Sequence, residues 1–306
     1  MAFAEPLPTG DEQSPVTADR EIILGYPSLW SHVLHSVKRE TLPKAGLLIV
    51  LVTVLLAIFG PLIAPYNTTA ATNSVNKPPS AAHWFGTDSN GLDVFSRVLA
   101  APRIDVSIAL LATALALVAG SAIGLFATFY GGRLGALAIR VTDTLQAFPA
   151  LILAIIVVVL TGHGMATIVL VIAVLNMPLY ARLMRSEVLR IRDRAFVEAA
   201  RASGLSDMAI AWRQVLPNAL APIVAQMSVT IGWAILATAG LSFLGAGVPP
   251  PTPEWGSMIS AGASGIILGQ WWPSVFPGLA MALTVFGFAV LADTVQTALG
   301  DRKSVV

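Results

Sequence analysis

The feature that most constrains this chain is its run of six apolar stretches, near Gly46–Ile63, Val106–Phe129, Leu145–Leu160, Ala166–Met184, Ala219–Phe243 and Pro277–Ala292. A bilayer's hydrocarbon core is roughly 30 Å thick and a helix rises about 1.5 Å per residue, so about 20 mostly apolar residues make one crossing. Backbone polar groups in lipid must be bonded within the protein, and no alternating strand pattern is present, so each stretch has to be helical. The sequence therefore predicts an all-α membrane protein with six transmembrane helices. Composition agrees, since 56% of the residues are apolar and only 11% are charged, against roughly a quarter charged in soluble domains. Pro149 and Pro178 fall inside two predicted spans, where membrane helices tolerate proline as a kink.

Several classes of chemistry drop out at once. A formal net charge of +1 on 306 residues provides no basic field for nucleic acid. The absence of cysteine excludes disulfides, thiolate metal sites and thiol nucleophiles. A phosphate-cradling loop needs Gly-x-x-x-x-Gly-Lys-Ser/Thr, and no lysine lies between Lys77 and Lys303, so ATP is not expected to bind this chain. Residues 1–44 are polar, with Asp11, Glu12, Asp19 and Glu21, unlike a cleaved secretory signal. They read as a cytosolic N-terminal arm.

Lysine and arginine accumulate on the cytoplasmic side of membrane proteins. With the N-terminus inside, fifteen of the eighteen fall in cytoplasmic parts. These include Arg20, Lys38, Arg39 and Lys44 before the first span, Arg133 and Arg140, Arg302 and Lys303 at the end, and Arg182, Arg185, Arg190, Arg192, Arg194, Arg201 and Arg213 around one hairpin. Only Lys77, Arg97 and Arg103 remain outside. The expected layout is a multi-pass protein of the cell (inner or plasma) membrane with both termini cytoplasmic. A six-helix domain occupies 45–298, with outer segments at 65–105 and 246–276, a cytosolic hairpin at 186–218 and a short tail at 299–306.

The first outer segment carries His83-Trp84-Phe85-Gly86-Thr87-Asp88 and Gly91-Leu92-Asp93. His83, Asp88 and Asp93 could form a metal site, but such groups beside glycines more often make turn hydrogen bonds, which is the favoured reading. The second carries Pro249-Pro250-Pro251, Trp255-Gly256 and Trp271-Trp272-Pro273, whose tryptophans are expected to anchor at the membrane interface.

The hairpin reads Glu198-Ala199-Ala200-Arg201-Ala202-Ser203-Gly204, then Leu205 to Arg213, then Gln214-Val215-Leu216-Pro217-Asn218. Phe196 to Ser203 should be helical and end at Gly204 in a left-handed turn. A second helix should run from Leu205 to Val215, with Leu216-Pro217 stopping it. The small residues Ala199, Ala200 and Ala202 would let another surface approach closely. Charge alone is equally compatible with an amphipathic hairpin lying on lipid headgroups.

This hairpin resembles the EAA loop of ABC-importer permeases, in its Glu-Ala-Ala, its spaced glycine and its Leu-Pro. Over residues 45–302 the chain is similar to the C-type permease subunit of the dipeptide/oligopeptide/nickel importer family. The likeness extends to residues 83–88 with Ser96-Arg97, Arg140 with Asp143 and Pro149, Tyr180-Ala181-Arg182 with Arg185, Leu241-Ser242-Phe243-Leu244-Gly245, Trp255-Gly256, Trp271-Trp272 and Pro277-Gly278. The chain departs from the family pattern at Leu92, Ala101, Asp105, Gln214 and Thr238, and in its Leu299-Gly300-Asp301-Arg302 ending.

The resemblance implies a type I importer fold. It implies as partners a second, B-type permease, cytosolic ATPase subunits that bind ATP and Mg, an extracytoplasmic binding protein and membrane lipid. The expected cargo is di- or oligopeptide, or alternatively nickel or another small solute. Glu198, Ala199, Ala200, Arg201, Gly204, Leu216 and Pro217 would couple the chain to the ATPase, with Glu198 and nearby arginines making polar contacts, Gly204 permitting the turn and Pro217 marking where the chain returns to the membrane. No catalytic residue, metal or cofactor is expected in the chain itself. Two remoter readings stay open: an intramembrane serine protease built on Gly262-Ala263-Ser264-Gly265 with His163, and an ion-coupled carrier using Asp143 or Asp293.

Overall fold

The computed structural model describes residues 41–304, and the regular elements among them are helices. The arm through residue 40, with Arg20, Lys38 and Arg39, lies outside the described residues, as do residues 305 and 306. In chain order the helices are α1 (Thr41–Ile63), α2 (Val94–Ala100), α3 (Pro102–Phe129), α4 (Gly132–Leu145), α5 (Ala150–Thr161), α6 (Met165–Ile191), α7 (Ala195–Ala202), α8 (Asp207–Ile210), α9 (Leu216–Phe243), α10 (Trp255–Ala263) and α11 (Trp272–Ser304).

Among the described residues five helical runs are long and apolar enough to cross a membrane: α1, α2 with α3, α6, α8 with α9, and α11. The third predicted span takes a different form. Instead of one helix over Leu145–Leu160, α4 and α5 meet at 94°. Pro149 sits at the N-cap of α5 with φ −57° and ψ 118°. It forms the corner rather than a kink inside a span, because its ring fixes φ and it has no N–H to continue the ladder from α4. The 12 residues of α5 rise only about 18 Å, so this element crosses as a bent pair with α4 or not at all. Pro178, by contrast, does lie within the continuous helix α6.

In lipid the hydrophobic effect gives helices little reason to associate, so close packing has to hold them. The tightest seam is α3 against α6, where Gly120 and Gly124 let the backbones touch. A β-carbon on Gly120 would stand 2.8 Å from the Tyr180 Cβ and one on Gly124 2.8 Å from the Met184 Cβ, while each would also collide with a backbone carbonyl, that of Met177 and of Ala181 respectively. The spacing Gly-x-x-x-Gly places both glycines on one face. Gly46 and Gly287 play the same part between α1 and α11, beside a 3.2 Å hydrogen bond between Thr53 and Thr284. The Tyr180 hydroxyl donates to Thr230 at 3.0 Å and links α6 to α9. Around these contacts lies one core, with Ile108, Leu125, Ile172, Met184, Ile223 and Leu241 almost fully enclosed.

At one end of the bundle the segment between α1 and α2 is built from turns. Asp88 Oδ1 accepts from the N–H groups of Asn90 (2.9 Å) and Leu92 (2.8 Å). Asp93 Oδ2 caps α2 by accepting from the Ser96 N–H (2.8 Å) and hydroxyl (2.7 Å), while its Oδ1 pairs with His83 Nδ1 at 2.8 Å. These groups serve turns and a helix cap, and among the described residues no three His, Asp or Glu side chains converge as metal ligands. The Trp272 indole donates to the Thr87 carbonyl at 3.0 Å, and Arg97 donates to the carbonyls of Thr68 and Pro251, so the two loop segments are tied together.

That tie corrects the expectation for two tryptophans. Trp255 and Trp272 are 2% and 7% exposed, packed with Val94, Val98, Ala101 and Met258 in a small core of their own. They cannot anchor at a lipid interface because the loop segments fold over them. Trp84 and Trp271 do remain exposed. Glu254, fully buried, caps α10 through the N–H groups of Gly256 and Ser257.

Candidate functional site

The hairpin at the other end is assembled by local chemistry. Within α7, Val197 and Ala200 are three residues apart and face inward, joining a core patch that includes Val188, Ile191, Ile210 and Val215. Glu198 lies in the first turn of α7, where the helix dipole favours a negative side chain. Glu198, Ala199, Arg201 and Ala202 form the exposed remainder, next to Phe196.

The end of α7 is closed by a Schellman motif. The Gly204 N–H donates to Arg201 O (3.0 Å) and the Leu205 N–H to Ala200 O (3.2 Å), as that cap requires. Gly204 has φ +80°, the left-handed conformation that residues with a β-carbon resist. Ser206 then opens α8 by accepting from the Ala209 N–H at 3.3 Å. Arg201 and Asp207 face each other across the turn at 3.7 Å, but both are more than half exposed, and such pairs contribute little.

Beyond the turn the structure departs from the sequence expectation. Leu216-Pro217 does not stop the second helix. Residues Asp207–Phe243 form one helical run of 37 residues, about 55 Å long at 1.5 Å per residue. The device that admits Pro217 is a π turn at Ala211–Val215, in which the Leu216 N–H reaches back five residues to Ala211 O. A wider turn eases the clash between a proline ring and the carbonyl four residues earlier, and Pro217 then stands at the start of α9, where a missing N–H matters least. Pro217 therefore does not end the helix, and Asp207–Phe243 runs through it as one element.

Of the seven residues singled out from sequence, Glu198, Ala199, Arg201, Gly204 and Pro217 are exposed, while Leu216 is half-buried. Ala200 is 8% exposed. Its small side chain admits the protein's own core, not another surface, which corrects its assignment to an approachable face. Nothing in the sequence assigns a role to Met208 and Trp212. Both are about half exposed on the same hairpin, with the Trp212 ring edge-on to Phe126 at 6.1 Å. In the sequence Met208, Trp212 and Val215 form one stripe at i, i+4 and i+7, and only the fold separates the buried Val215 from the exposed pair.

The remoter readings find no assembled site. Ser264 is the C-cap of α10 and His163 lies exposed between α5 and α6, with no hydrogen bond linking them among the described residues. Asp143 and Asp293 are exposed on the chain surface.

Residues 107–305 match the family model described as the binding-protein-dependent transport system inner membrane component. Residues 28–79 match that of the N-terminal TM domain of oligopeptide transport permease C. A dipeptide transport system permease protein of Alkalihalophilus pseudofirmus is 37% identical over 301 residues, covering 98% of this chain and 97% of the relative. Glutathione transport system permease proteins of Pectobacterium atrosepticum (35% identical, 94% and 95% covered) and Escherichia coli O1:K1 (38%, 89% and 90%) are similar as well. Among solved structures, an inward-facing methionine ABC transporter chain superposes with TM-score 0.51 at 18% identity, over 64% of this chain and 93% of that one. At that identity the likeness is one of fold.

Proposed function

This chain belongs to the family of binding-protein-dependent transport system inner membrane components, the permeases of ABC importers, and from that premise we propose that it is one permease half of a peptide importer. Di- and oligopeptides are the cargo in this reading because relatives named for dipeptide and glutathione transport align over nearly its whole length. A second permease completes the pathway, an external binding protein delivers substrate, and cytosolic ATPase subunits hold ATP and Mg. Both termini and the hairpin 186–218 face the cytosol, in keeping with the arginine asymmetry.

The observation that carries the coupling role is the construction of the hairpin. An exposed helix bearing Glu198, Ala199 and Arg201 ends at a glycine corner, and that corner opens directly into a 37-residue rod. Closure of an ATPase against α7 would thus move a lever instead of a loose loop, tilting α9 relative to α3 and α6 and alternating access. Met208 and Trp212 give the docking surface an apolar component.

The test is reconstitution of the full complex in proteoliposomes with labelled dipeptide and with nickel. ATP-driven peptide uptake is the expected result. Nickel uptake without peptide uptake would overturn the cargo, uptake without any ATPase would point to a carrier, and peptide cleavage by the purified chain would point to a protease.

A further inference from the structure

Two cavities lie along α6 where it faces the bent pair α4–α5, and the lever described above uses neither. The first, about 350 Å³, is a groove lined mainly by Leu145, Leu153, Val157, Leu170, Val171 and Val174. The second, about 300 Å³, is flanked by Arg182, Arg185 and Ser186 of α6 and by Asp143 of α4. Val174 and Arg185 are eleven residues apart, close to three whole turns, so groove and charged cavity sit one above the other on a single helix face. Eleven residues span about 16 Å, which is one leaflet of a roughly 30 Å core.

Among the described residues the charges in the second cavity, Arg182, Arg185 and Asp143, form no ion pair with one another or with a neighbour, whereas Arg190 is held by Glu187. A guanidinium pair matches a phosphate diester, and an isolated carboxylate beside it matches a primary ammonium that can donate hydrogen bonds. An apolar chain one leaflet long, a phosphate and an ammonium together describe one kind of molecule.

We propose that this face binds phosphatidylethanolamine, with an acyl chain in the groove between α5 and α6, the phosphate on Arg182 and Arg185, and the ammonium on Asp143. Phosphatidylglycerol would leave Asp143 facing a headgroup without a cation, and the quaternary ammonium of phosphatidylcholine has no N–H to donate. Both cavities take part of their lining from the bent pair, Leu145, Leu153 and Val157 in the first and Asp143 in the second, whose helices meet at 94°.

The experiment is native mass spectrometry of the intact transporter complex after exchange into equal amounts of phosphatidylethanolamine, phosphatidylglycerol and phosphatidylcholine. Phosphatidylethanolamine should be retained about tenfold over the other two, the contribution of one charge-assisted hydrogen bond. Asp143→Asn should bring its preference over phosphatidylglycerol to about one, and Arg182→Gln with Arg185→Gln should lower retention of all three; the same spectra report whether the complex is intact. Equal retention by the unaltered complex, a preference for phosphatidylglycerol, or a preference unchanged in Asp143→Asn would overturn the proposal. So would an oxidant-induced disulfide between one cysteine introduced at Val157 and one introduced in a membrane helix of the second permease, because protein would then fill the groove.

Discussion

Gly204→Val offers the sharpest test of the lever. A β-carbon at this position would meet nothing within 4 Å, so the substitution carries no steric clash and only the backbone conformation is penalised. At φ +80° that penalty is about 1–2 kcal/mol, and a β-branched residue lies at its upper end. A cost of this size changes the population of the turn by a factor of about 5–30. What opposes it is modest. The eight-residue α7 is too short to be stable alone, and it is held by the burial of Val197 and Ala200 and by two capping hydrogen bonds. The core between α3, α6 and α9 is untouched. Gly204→Val should therefore insert and melt like the parent chain, while ATP hydrolysis by the assembled complex loses most of its stimulation by substrate-loaded binding protein. Because asparagine adopts left-handed backbone more readily than alanine or valine, stimulation in proteoliposomes should fall in the order Gly, Asn, Ala, Val. Parental stimulation in Gly204→Val would refute the coupling role, and failure to insert would refute the claim that the strain is confined to the hairpin.

Gly124→Val should lower the unfolding temperature in detergent, since its β-carbon meets the Ala181 backbone and the Met184 Cβ at 2.8 Å and overpacking costs about 1–3 kcal/mol. Gly232→Ala in the neighbouring helix α9 should be neutral or stabilising by up to about 1 kcal/mol, because its β-carbon finds ordinary contacts no closer than 3.7 Å. Asp93→Ala removes the cap of α2 and the partner of His83; a loss of about 0.5–2 kcal/mol should appear as faster proteolysis of residues 64–93, with Asp93→Asn intermediate. Single cysteines at the exposed Ser89 and Ser264 should react with an impermeant thiol reagent added outside sealed cells, while one at Ser206 should not, and labelling at Ser206 would invert the proposed topology.

How much of this was legible in the sequence follows from which interactions are local. Apolar runs declare membrane helices because the cost of unbonded backbone in lipid is paid segment by segment, whatever the neighbours do. Gly204 declared its turn for the same reason: a left-handed residue followed by a capped helix is a property of a few consecutive residues. Asp88 and Asp93 likewise bond within their own turns. Where the outcome depended on what lies opposite, the sequence was silent or misleading. Pro149 and Pro217 carry the same chemistry, yet one makes a 94° corner and the other is absorbed by a π turn, since only the surrounding packing decides whether a helix is held straight through a proline. Ala199 and Ala200 are indistinguishable by type, and the core beneath α7 alone buries the second. Trp255 and Trp272 had the composition of interface anchors until the two loop segments, about 150 residues apart at the Arg97 contact with Pro251, closed over them. The sequence by itself determined that this chain is a bundle of membrane helices with a polar, glycine-hinged hairpin; only the tertiary structure decided which surfaces of that bundle remain free, because burial is a relation between distant residues and hydropathy is a sum along the chain.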